Sequence, residues 1–115
     1  MLKEITDLVN ICDSFERELV EEMINSAADY VRAVVAMETV AANVRGLEGA
    51  AFREERTSAD KSRSMVHNSF ISLVNSVNRL CDKKKLSRVY TGGEERRAYG
   101  DFAMEIVRTI FEARN

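Results

Sequence analysis

The chain has 115 residues, 45% of them apolar, and a formal net charge of −2. That length supports one core, and the charge argues against a protein devoted to nucleic acid or to an anionic membrane surface. Proline is absent and glycine occurs five times, so helix breakers are scarce, and the expectation is an all-α single domain over residues 1–115, a bundle of three to four helices with one very long N-terminal helix.

From Ile5 the apolar residues recur at steps of three and four: Leu8, Val9, Cys12, Phe15, Leu19, Met23, Ala27, Tyr30, Val34, Met37, Ala41 and Val44. This phase holds to one helical face for some forty residues and predicts an unbroken helix over 2–45, ended by Gly46. Asp13 followed by Glu16 also fits a capping box, which leaves a break at that point as the alternative.

Residues 46–57 hold Gly46, Gly49 and a charged cluster and read as a connection. A second helix is signalled by Thr57 or Ser58 as N-cap, with Val66, Phe70, Leu73, Val74, Val77, Leu80 and Cys81 on its apolar face. Lys83, Lys84 and Lys85 close it, where cations favour the C-terminal dipole. Residues 88–91 are the only β-like run, too short for a sheet. Thr91 and Glu94 fit a second capping box and open a third helix, to about residue 113, carrying Tyr99, Phe102, Ala103, Ile106, Val107, Ile110 and Phe111.

Cys12 and Cys81 fall on apolar stripes, without the neighbours a four-ligand zinc site needs. They read as buried thiols of a reducing, cytoplasmic compartment. There is no apolar run of about eighteen residues to span a membrane, and Lys3, Glu4 and Asp7 interrupt any secretory h-region. Residues 1–57 carry 12 acidic and 6 basic side chains and residues 58–115 carry 7 and 11. Antiparallel packing of the two halves uses that asymmetry.

His67 is the single histidine, which excludes a di-iron bundle with its two Glu-x-x-His motifs. No metal, cofactor or catalytic residue is assigned. Asp60, Arg63, His67, Asn75 and Asn78 lie along one edge of the second helix, beside its apolar centre. Such a rim either satisfies hydrogen bonds between helices or subunits, or binds a small anion or polar ligand.

Glu18, Glu21 and Glu22, with Asp101 and Glu105, resemble the carboxylate sets of all-helical nucleotide pyrophosphatases, but order and spacing do not match that motif. A solvated acidic face is the simpler reading. Asp60-x-x-Arg63 resembles a pattern of the all-helical chorismate mutases, yet the Glu expected after the arginine is missing. The basic run Arg79, Lys83, Lys84, Lys85, Arg88, Arg96 and Arg97 lacks helix-turn-helix spacing, so nucleic-acid binding through 79–97 is the weakest reading. Gly100, inside the third helix, implies a close approach by another helix.

Asp60-x-x-Arg63-x-x-x-His67-Asn68, continuing to Asn78-Arg79-Leu80 and Tyr90-Thr91-Gly92, resembles an uncharacterised family of short all-helical bacterial proteins, a domain of unknown function. The resemblance covers about residues 58–111 and implies a helical fold and a prokaryotic cytoplasmic setting, with no activity attached. The resulting expectation is an interaction or assembly protein without catalysis of its own. A small-molecule or anion site around Arg63, His67 and Asn78 is the alternative. A 2–45 helix outruns the second helix, so Ile5, Leu8, Val9, Cys12 and Phe15 need either the third helix or another subunit to cover them, and the expectation is a homodimer or higher oligomer.

Overall fold

The computed structural model describes residues 2–43 and 50–111. Four α-helices follow in order: α1 (Leu2–Ile11), α2 (Ser14–Asn43), α3 (Ala50–Lys83) and α4 (Arg96–Ile106), the last continuing into a π-helical turn, Val107–Phe111. No strand occurs among the described residues. The ending at Gly46 and the stop near residue 113 lie outside them. None of the described helices is long and apolar enough to cross a membrane.

The long N-terminal helix is broken at Cys12–Asp13, and the capping box is what breaks it. The Glu16 N–H donates to Asp13 Oδ1 at 2.8 Å and the Asp13 N–H donates to Glu16 Oε1 at 3.0 Å. Two orphan donors are thereby satisfied reciprocally. Arg17 Nε donates to the Val9 carbonyl at 3.3 Å, occupying the end of α1. Lys84 reaches across from beyond α3 to pair with Glu16 at 3.0 Å. A straight 2–43 helix would run about 63 Å, longer than the 54 Å of the whole molecule.

The break alters the length argument. The 30-residue α2 and 34-residue α3 span about 45 and 51 Å, so neither leaves a long overhang. Ile5, Leu8 and Cys12 are buried within the chain and only Ile11 and Phe15 stand out, 52% and 81% exposed. The need for a second subunit to cover the whole N-terminal stripe therefore disappears.

Two helix starts differ from expectation, and the end of α3 falls at the expected lysines. Helix α3 starts at Ala50, so Thr57 and Ser58 lie inside it instead of capping it. Its end is a Schellman motif: Leu86 N–H donates to Cys81 O at 2.9 Å, Lys85 N–H to Asp82 O at 3.1 Å, and Lys85 takes the left-handed conformation, φ 60°. Helix α4 opens at Arg96 behind Glu95, whose side chain makes no cap hydrogen bond, so Thr91 is not its cap.

The direction of each helix follows from its partners. Glu16 meets Lys84 and Tyr30 meets His67, so α2 and α3 are antiparallel. His67 meets Tyr99 and Phe70 meets Phe102, so α4 runs parallel to α3, lying against α2 and reaching α3 through aromatic rings. A parallel pair needs a return connection, which residues 84–95 supply. Asn78 holds that connection: its Nδ2 donates to Tyr90 O at 2.9 Å and its Oδ1 accepts from Tyr90 N–H at 3.2 Å. The Tyr90 ring stacks on Tyr99, centroids 4.5 Å apart, and its hydroxyl donates to Gly93 O at 2.5 Å. A Cβ on Gly92 would stand 2.6 Å from Tyr90 Oη, so only glycine fits beneath the ring.

The core is one cluster: Ile5 and Leu8 from α1, Val20, Met23 and Ala27 from α2, Phe70, Val74 and Val77 from α3, Val89 from the connection, and Phe102, Ala103 and Ile106 from α4.

Candidate functional site

Above that core, α2, α3 and α4 enclose a cleft of about 650 Å³. Helix α3 contributes Arg63. Its Nη2 donates to Asp60 Oδ1 at 2.8 Å, its side chain is 17% exposed, and its buried Nε has no protein partner. Helix α4 contributes Arg96, Arg97, Gly100, Asp101 and Met104, with Arg108 from the π-helical turn, and α2 contributes Tyr30, Val31 and Val34.

Charge is the feature that sets this cleft apart. Among the described residues its lining holds four arginines and one carboxylate, Asp101, with Asp60 paired to Arg63, in a chain whose net charge is −2. Arg96 and Arg97 occupy the first turn of α4, which holds no acidic residue. A helix N-terminus carries a partial positive charge, so two cations there oppose the dipole where an anion would complement both.

His67 lies under the cleft, one helical turn beyond Arg63. It is 1% exposed, its ring centroid is 5.3 Å from that of Tyr30, and it stands edge-on to Tyr99 at 6.4 Å. Its Nδ1 makes no hydrogen bond to the protein. Burial, reinforced by Arg96 and Arg63, lowers its pKa and favours the neutral imidazole.

The edge read from the sequence thus divides. Arg63 lines the cleft, Asp60 holds Arg63, and His67 lies beneath them. Asn78 is buried elsewhere, clamping Tyr90, and Asn75 is exposed. Tyr30 and Arg108 were not among the sequence candidates for a site, Arg96 and Arg97 entered only with the basic run over 79–97, and Gly100 only as a helix contact. One signal for them was legible: Arg97, Asp101, Met104 and Arg108 follow at steps of four, three and four, a single helical face. A Cβ at Gly100 would meet Tyr30 Oη at 3.5 Å, an ordinary van der Waals contact, so α2 passes beside this glycine without requiring it.

Three members of the basic run are engaged locally. Arg79 donates to Ser76 Oγ at 3.0 Å, Lys84 pairs with Glu16, and Arg88 holds both oxygens of Asp82 at 3.0 and 2.7 Å. Among the described residues no group of three or more His, Cys, Asp or Glu is placed to hold a metal ion, so Glu18, Glu21, Glu22, Asp101 and Glu105 do not converge. Cys12 and Cys81 are free and buried, and burial raises both thiol pKa values.

The family model described as a protein of unknown function, DUF3232, matches residues 1–115, and the chain belongs to that family. The match extends the resemblance seen over residues 58–111 to the full length. No curated protein and no solved structure matches the chain.

Proposed function

We propose that this member of the DUF3232 family is a binding protein for a small anion, held in the cleft between Arg63, Arg96, Arg97 and Arg108. The observation that carries the reading is that four arginines line one cleft whose described lining holds a single carboxylate, Asp101, a second, Asp60, being bound to Arg63. Arginine suits this task because its planar fork donates two parallel hydrogen bonds to phosphate or carboxylate oxygens. Pyrophosphate is the simplest probe. Thermal unfolding should shift upward in its presence, because a ligand that binds only the folded state stabilises it by RT ln(1 + [L]/Kd). Arg63→Ala combined with Arg96→Ala should remove the shift. No shift in the parent protein at millimolar pyrophosphate, or an equal shift in the double variant, would overturn the reading.

A second reading, assembly, is favoured by Ile11 and Phe15, exposed on either side of the α1–α2 break. Fully burying an aromatic side chain contributes about 1.5–3 kcal/mol. We therefore also propose a homodimer through this face, tested by light scattering on the parent and on Phe15→Glu. A dimer that survives the charge, or a monomeric parent at tens of micromolar, excludes it. The two free, buried thiols fit a reducing bacterial cytoplasm as the setting.

A further inference from the structure

We infer that the anion is the phosphate of an organic phosphate ester, whose apolar body lies along α4 between Gly100 and Met104; this rests on the anion-binding reading above. The cleft is polarised. Arg63 stands one turn before His67 on α3, and the His67 ring stands against Tyr99, three residues after Arg96, so Arg63 and Arg96 share the end of the cleft above that ring, and Arg97 adjoins Arg96 in sequence. Arg108 sits twelve residues beyond Arg96, about 18 Å along a helical path. Between the two ends Met104 supplies an apolar wall on α4, and Val31 and Val34 continue it on α2 toward the Arg63 and Arg96 end.

Size and shape favour an ester over a bare ion. At the roughly 30 Å³ of a water-sized group, an inorganic phosphate of five heavy atoms fills about 150 Å³. The cleft offers about 650 Å³, inside the range of roughly 300–1,000 Å³ typical for small organic ligands. Gly100 keeps the middle of the cleft open, with Tyr30 directly behind it. A larger side chain there would be driven outward into the space the body occupies.

Phosphate fits the arginine end better than carboxylate does. Three guanidiniums from two helices present far more donors than two carboxylate oxygens accept. A dianionic phosphate meets them with three oxygens, and the N-terminal dipole of α4 adds to the attraction. Arg108 is left free to meet a polar substituent at the far end of the body.

The test is titration calorimetry on the full chain with inorganic phosphate, AMP, octyl phosphate and adenosine. AMP or octyl phosphate should bind at least tenfold more tightly than inorganic phosphate, and which of them does so identifies a flat or an alkyl body. Adenosine, without the phosphate, should bind weakly or not at all. Gly100→Leu should bring the affinities for the ester and for inorganic phosphate to within about twofold of each other; if circular dichroism shows that variant unfolded, Met104→Gln and Val31→Asn serve instead. Equal binding of phosphate and both esters, or a preference untouched by the wall variants, overturns this inference alone. Failure of every anion to bind overturns the anion site with it.

Discussion

Asn78 is where the two parts of the sequence-read edge separate most clearly, and Asn78→Ala exposes the difference. The substitution removes both hydrogen bonds that tie the Tyr90 backbone to α3. Tyr90 is 7% exposed, so its N–H and C=O are left with little access to water. Orphaning one such group costs about 1–3 kcal/mol; with some relaxation of the connection, the pair should cost about 2–4 kcal/mol. For a chain of this size that lowers Tm by roughly 10–20 °C. Urea unfolding followed by far-UV circular dichroism measures it directly, with an unchanged m value confirming that the same surface is exposed. Asn78→Asp keeps an acceptor for the N–H but faces the Tyr90 carbonyl with a carboxylate, and should be no better tolerated. Pyrophosphate should still stabilise the alanine variant, because Asn78 lies outside the cleft. A loss below about 0.5 kcal/mol, or a loss of anion binding at undiminished stability, would refute this account of the clamp.

Lys85→Gly should stabilise the protein by about 0.5–1 kcal/mol in the same unfolding assay, since a left-handed lysine costs about 1–2 kcal/mol against glycine and the freer unfolded chain returns part of that. The lowered pKa of His67 means that the unfolded chain takes up a proton first on acidification. The resulting stability is complete above the unfolded value of about 6.5 and is lost as pH falls through the folded value. His67→Phe should therefore flatten the urea midpoint just below pH 6.5, while the parent keeps a further acid loss at lower pH from Glu16 and Asp82, whose pKa values are also lowered; an unchanged slope in the variant contradicts the assignment. Cys12 and Cys81, buried and with raised pKa values, should react with an aromatic disulfide reagent only slowly in the native protein and fully in urea. Fast native labelling of both excludes their placement.

Much of the architecture was legible because it is local. The three-and-four spacing of Val66, Phe70, Val74, Val77 and Cys81 reports a buried helix face whatever packs on it, and the lysines after it report its end. Asp13 and Glu16 also carried their signal openly; the continuing apolar phase outweighed it in the reading, but phase alone cannot show that a helix has stopped and restarted. The start of α3 was misplaced because Gly46 and Gly49 sit close to a charged cluster that reads as loop, whereas charged residues form a helix readily. Thr91 misled because its glycines serve Tyr90, not a helix cap. The cleft was the least legible part. Arg63 is more than thirty residues from Arg96, and only the return connection, unreadable as such, brings the two to the same end of the bundle.

That connection makes the arginine cleft depend on two separate pieces of chain, α3 with Arg63 and α4 with Arg96, Arg97 and Arg108. The α2–α3 pair can form from a local hairpin, but α4 reaches its place only after residues 84–95 have been laid back along α3 and seated on Asn78. A chain folded as far as the hairpin holds Tyr30, Arg63 and His67 in position and still has no site, because Arg96, Arg97 and Arg108 arrive together with α4. Occupancy of the cleft therefore discriminates between a finished fold and an almost finished one, and an anion would slow the opening of α4 in particular.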